Sequence, residues 1–167
     1  VTNDSLVQAH RNAKKAISQL HVLHIDLLPP SSSVFAIRLP YLKDIGNEAA
    51  EPAHFLAIAD QLQQLHRHGL VHGDVRRSNL LLASDPSQSL LIDFDFVSPL
   101  GSYYISTYNP SLVERHPDAR PREEMLPEHD IHSLLYIVLA ICGIKEERSD
   151  PKWNVVIQQL VAARAGP

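Results

Sequence analysis

The sequence predicts an α+β chain that is mainly helical and carries short β-hairpins. Three observations predict it. Phe55, Ile58, Leu62 and Leu65 recur at helical spacing between Pro52 and Gly69, a start and a stop for an amphipathic helix. Leu80-Leu81-Leu82 and Leu90-Leu91-Ile92 flank Ala83-Ser84-Asp85-Pro86-Ser87-Gln88, which reads as two short strands joined by a turn. A longer apolar run reaches Cys142 from Leu134 and is opened by Asp130, as expected of a buried helix.

The other elements follow in chain order. Leu6-Val7, Ala13, Ala16-Ile17 and Leu20 predict a first helix, with Lys14 and Lys15 on its solvent side. Two strands are expected at 22–28 and 34–39, separated by Pro29-Pro30-Ser31-Ser32-Ser33. The stretch 109–129 holds Pro110, Pro117, Pro121 and Pro127 among mixed charges, the pattern of an irregular loop packed across the fold. Beyond the polar stretch 143–151, residues 153–163 predict a last amphipathic helix.

Composition narrows the function classes. A chain of 167 residues with 44% hydrophobic content can bury a real core. Its net charge of −4, with no basic block, argues against a nucleic-acid surface. The apolar run ending at Ile144 is too short to span a bilayer, and no signal-peptide pattern opens the chain, so no membrane partner is expected. One cysteine excludes an internal disulfide framework and leaves a reducing, intracellular compartment as the default.

The chemistry concentrates in His72-Gly73-Asp74-Val75-Arg76-Arg77-Ser78-Asn79 and, beyond the second apolar triplet, Asp93-Phe94-Asp95. Phosphoryl transfer needs a carboxylate to take the acceptor hydroxyl's proton and oxygen ligands to hold Mg²⁺ on nucleotide phosphates. Asp74, Asn79 and Asp93 supply those parts. The plain alternative is a surface loop with no chemistry. His66, His68 and His72 cluster near one helix end, where imidazoles are favoured electrostatically without any metal, and the lone Cys142 is far away as a fourth zinc ligand.

His72, Asp74, Asn79, Asp93 and Phe94 match the paired signature motifs of protein kinases. From residue 34 onward the chain resembles the C-terminal lobe of the eukaryotic protein-kinase fold, with residues 1–42 a remnant of the N-lobe plus hinge and 43–167 the C-lobe. Residues 108–130 are similar to divergent protein-kinase-like proteins from fungi. The resemblance implies ATP and Mg²⁺ as cofactors and a protein substrate or binding partner. It makes Asp74 the base, puts Arg76 in the place of the charge-offsetting lysine, and makes Asn79 and Asp93 the metal ligands. Pro40, Tyr41 and Leu42 would form the hinge that meets adenine. His72 would hold the loop against Phe94 and the central helix, whose Asp130 would bond the loop's backbone.

Departures from the pattern matter. Gly73 replaces the arginine that receives an activating phosphate, which implies activity independent of such phosphorylation. Asp95 replaces glycine, either as a turn residue or as an extra metal contact. No Gly-x-Gly-x-x-Gly is present, the first helix offers no Glu for a nucleotide-pairing lysine, and Arg38 sits too close to Asp74 in sequence to stand for that lysine. Three functions are therefore expected to compete: phosphoryl transfer to a protein Ser or Thr by a truncated or glycine-loop-free kinase, an inactive partner-binding module, and a small-molecule phosphotransferase of the aminoglycoside-kinase type.

Overall fold

A computed structural model describes residues 3–18, 24–27, 35–38, 41–144 and 150–164. Its core is built on helix α2 (Pro52–Arg67), which places Phe55, Ile58, Leu62 and Leu65 on one fully buried face. Pro52 suits the first helical turn, where its missing N–H has no partner to lose. The Glu51 N–H donates to His54 Nδ1 (2.9 Å), and His54 Nε2 reaches the Ala83 carbonyl (3.0 Å). Gly69, with φ +69°, turns the chain out of the helix in the left-handed conformation that glycine adopts without strain.

Helix α1 (Asn3–Ala16) precedes two paired strands, β1 (His24–Leu27) and β2 (Phe35–Arg38). These run antiparallel with His24 opposite Arg38 and Leu27 opposite Phe35. They fall within the predicted strands, whose remaining residues lie outside the described ones. After α2, β3 (Leu70–Val71) pairs antiparallel with β6 (Ser98–Pro99), and β4 (Leu80–Leu81) with β5 (Leu90–Leu91). The β3–β6 pair carries no periodic signal because each strand is two residues long.

The β4–β5 hairpin is fastened to α2 by Gln61, which is wholly buried. Its Nε2 donates to the Ser89 carbonyl (2.7 Å) and its Oε1 accepts from the Leu91 N–H (3.0 Å). Gln61→Leu keeps the volume but strands both backbone groups, so unfolding free energy should fall by roughly 1–3 kcal/mol, read as a lower urea midpoint at unchanged m-value.

Helices α3 (Pro127–Ile144) and α4 (Pro151–Arg164) complete the core, with Leu134, Val138, Ile141 and Cys142 meeting Trp153, Val156 and Leu160. The thiol is buried, as its place in the apolar run predicts. Residues 100–126 contain no helix or strand. They are held by the Tyr104 N–H on the Glu123 carbonyl (2.9 Å), the Met125 N–H on Ser102 (2.8 Å), and a small cluster of Val71, Tyr104, Tyr108, Ala119 and Met125. Among the described residues, no helix is long and apolar enough to cross a membrane.

Candidate active site

The loop 72–79 leaves β3 and enters the 3₁₀ turn Arg77–Asn79 before β4, so its shape depends on bonds from outside it. Asp130, in the first turn of α3, supplies them: its Oδ2 accepts from the His72 N–H (2.8 Å) and its Oδ1 from the Gly73 N–H (2.9 Å). His66 Nε2 lies 2.9 Å from the same Oδ2. Gly73 has φ +77°, a left-handed backbone that a side chain would strain, and a Cβ there would meet the end of Met125, which would have to shift, so the position suits glycine. Arg77 ties the loop to the segment after β2 through both Asp44 carboxylate oxygens (3.0 Å each).

His72 is fully buried and acts as a brace. Its Nδ1 accepts from the Asp74 N–H (3.2 Å), its Nε2 lies 3.2 Å from the Ile92 carbonyl, and its ring meets Phe94 edge-on with centroids 5.5 Å apart. Those partners fit the neutral Nε2–H tautomer.

Around this frame the polar residues converge. Asn79 Nδ2 donates to the Asp74 carbonyl (2.9 Å) and to Asp74 Oδ2 (3.0 Å). Arg76 stands between the two carboxylates, its Nε 3.2 Å from Asp74 Oδ2 without hydrogen-bond geometry and its Nη2 3.9 Å from Asp93 Oδ2. Asp93 adopts φ 62°, an unusual left-handed conformation for a non-glycine residue, just before the turn Phe94–Phe96. The Ile92 N–H on the Asn79 carbonyl (2.9 Å) brings Asp93 beside the loop. Asp95 turns toward α1, where its Oδ1 lies 3.6 Å from His10 Nε2. Burial, then the neighbouring Asp93, push its carboxyl above the usual range.

Sequence reasoning missed Arg115. It comes from the irregular segment, donates from Nη2 to Asp74 Oδ1 (2.6 Å), and lies over the Tyr108 ring at 3.9 Å from its centroid. Asp74 is left 3% exposed. Nothing in the spacing of 109–120 marks this residue, because a loop without periodicity gives no register. Of the expected hinge, Pro40 lies outside the described residues, Tyr41 is 89% exposed, and Leu42 is half-buried against the core. Of the histidines that flank Asp130, His129 stacks on His116 with ring centroids 4.7 Å apart, and His132 meets His116 edge-on at 4.8 Å.

These groups set the acid response. Burial, first, holds the His72, His129 and His132 imidazoles below their ordinary value of 6.5, and the His116 charge adds to this for the last two. For Asp130 burial pushes upward, but the His66 hydrogen bond and charge prevail and hold the carboxyl below 3.8. All four groups bind fewer protons folded than unfolded, so stability rises with pH across their windows. Stability should therefore fall as pH drops below 6.5, from the imidazoles first, with the Asp130 share lost only below 3.8. Urea midpoints at neutral pH and near pH 5 check this; an equal or higher midpoint in acid contradicts it.

No family model matches the chain, and no curated protein matches it. Among solved structures, the kinase PK-1 of the Cydia pomonella granulovirus is similar at a TM-score of 0.64 and 16% identity over 84% of this chain. The chain spans 55% of the length of that kinase chain. The four helices and small antiparallel strand pairs of the described residues, together with this similarity, give the chain an α+β, mainly helical, protein-kinase-like fold.

Proposed function

We propose that the chain carries out Mg²⁺-dependent phosphoryl transfer from ATP to a Ser or Thr hydroxyl of a protein. The observation that carries this reading is the convergence of Asp74, Arg76, Asn79 and Asp93 on one point of a braced loop. Asp74 is the base that orients the acceptor hydroxyl and takes its proton. Arg76 offsets charge near the transferring group, a task for which its always-charged planar fork is suited.

Asn79 and Asp93 fit a magnesium ion as a partial set. Their oxygens are hard donors, and Asp93 is partly exposed, with Arg76 nearby as a rival cation. Among the described residues no group of three or more His, Cys, Asp or Glu could hold a metal. One oxygen from each of Asn79 and Asp93 matches the one or two protein oxygens that hold Mg²⁺, with phosphates and water for the rest. When bound, Mg²⁺ neutralises phosphate charge and ATP supplies the phosphoryl group. Residues 1–42 serve as the N-lobe remnant, with adenine at Pro40, Tyr41 and Leu42, and 43–167 as the C-lobe, in an intracellular protein.

A second reading has one observation in its favour. With Asp74 almost fully covered and paired to Arg115, the loop also suits an inactive, partner-binding module. Transfer of labelled phosphate from Mg·ATP to a mixed protein acceptor, by the chain and by Asp74→Asn, decides between them. Transfer that needs Asp74 supports the enzyme, and its absence in both supports the binder.

A further inference from the structure

Arg115 reaches Asp74 from a segment that has no helix or strand, and this contact closes the site. Asp74 Oδ1 receives Arg115 Nη2, while Oδ2 receives Asn79 Nδ2 and faces Arg76. At 3% exposure the carboxylate cannot meet a hydroxyl unless something moves. Asn79 and Arg76 belong to the braced loop itself. Arg115 does not: it lies between two buried anchors, Tyr108 and Ala119, and is flanked by exposed Ser111, Val113, Pro117 and Asp118. The movable partner is therefore Arg115.

Removing Arg115 from Asp74 has a consequence for whatever displaces it. The guanidinium is 7% exposed, and its Nε already lacks a hydrogen-bond partner among the described residues. A buried charge that loses its counter-ion is strongly unfavourable, whereas exchanging one anion for another is nearly neutral. A neutral or basic acceptor would leave Arg115 stranded. An acceptor with a carboxylate or phosphate next to its hydroxyl would take Arg115 as the hydroxyl takes Asp74. The always-charged, fork-shaped group suits either anion.

We infer that Arg115 is the specificity-determining residue of the site and selects acceptor peptides with an anionic group beside the hydroxyl. This rests on Asp74 being the acceptor-facing base. Its test is a binding measurement that needs no turnover. Two labelled serine peptides, identical except for aspartate or lysine on either side of the serine, are titrated into the chain with Mg²⁺ and a non-hydrolysable ATP analogue.

The aspartate peptide should bind about tenfold tighter, the size of one charge-assisted hydrogen bond. Arg115→Gln, which keeps an uncharged hydrogen-bond donor on a flexible stem, should bring the two within about twofold. Arg115→Lys should keep the preference and covers the case in which the glutamine variant does not fold. Asp74→Asn should tighten the aspartate peptide, because the internal competitor for Arg115 is weakened; a purely structural Arg115 would not produce that gain.

Equal affinities in the unaltered chain, no binding of either peptide, or a preference that survives Arg115→Gln overturns the inference. Its failure is separable from failure of the phosphoryl-transfer reading. Nucleotide binding without peptide preference sinks the inference alone. An Arg115-dependent preference without nucleotide binding sinks the enzyme reading and leaves an anion-selective docking site.

Discussion

Asp74→Asn is expected to lower phosphoryl transfer by about 10²–10⁴-fold, the usual contribution of a positioned general base. The amide is nearly isosteric with the carboxylate, so it keeps an oxygen for Arg115 Nη2 and stays within reach of Asn79. What it loses is the ability to accept the hydroxyl proton and the negative charge between Arg76 and Arg115. Mg·ATP affinity should change only a few-fold, because the proposed metal ligands are Asn79 and Asp93. Turnover within a few-fold of the unaltered chain would remove Asp74 from the role of base.

Asp130→Ala carries the largest expected effect on stability. The side chain is buried, and it accepts the His72 and Gly73 N–H groups and faces His66. Alanine leaves two buried donors unmade at roughly 1–3 kcal/mol each and strands His66, so a total loss of roughly 3–5 kcal/mol is expected. That is a large part of the stability of an ordinary domain, roughly 5–15 kcal/mol. Asp130→Asn keeps one acceptor oxygen and should lose about half as much. Urea denaturation reads both, and a loss below about 1 kcal/mol for alanine would show that the loop holds its shape without α3.

The sequence made the helices legible because their apolar spacing coincides with their buried faces: Phe55, Ile58, Leu62 and Leu65 are all fully covered. Motif spacing marks His72, Asp74, Asn79 and Asp93 along the chain, whereas Asp130 comes only from the resemblance of its helix to the central helix of a kinase lobe, and the structure brings it onto the His72 and Gly73 N–H groups. Arg115 was not legible, since its meeting with Asp74 is decided by the path of a segment held by Tyr108, Ala119 and backbone bonds. Gln61 was equally silent: a polar residue inside an apolar stripe looks like an interruption until Ser89 and Leu91 are seen to need it. The central helix starts at Pro127, earlier than its apolar run indicated, because its first turn is polar, with Glu128 exposed and Asp130 buried against the loop.

The most direct measurement is calorimetric titration of Mg·ATP into this chain and into Asp93→Asn. A phosphoryl-transfer site built on Asp74, Asn79 and Asp93 should give saturable binding that needs Mg²⁺ and is lost in Asp93→Asn, with a matching rise in melting temperature only where binding occurs. Heat signals indistinguishable from buffer in the unaltered chain, or equal binding by Asp93→Asn, would contradict it.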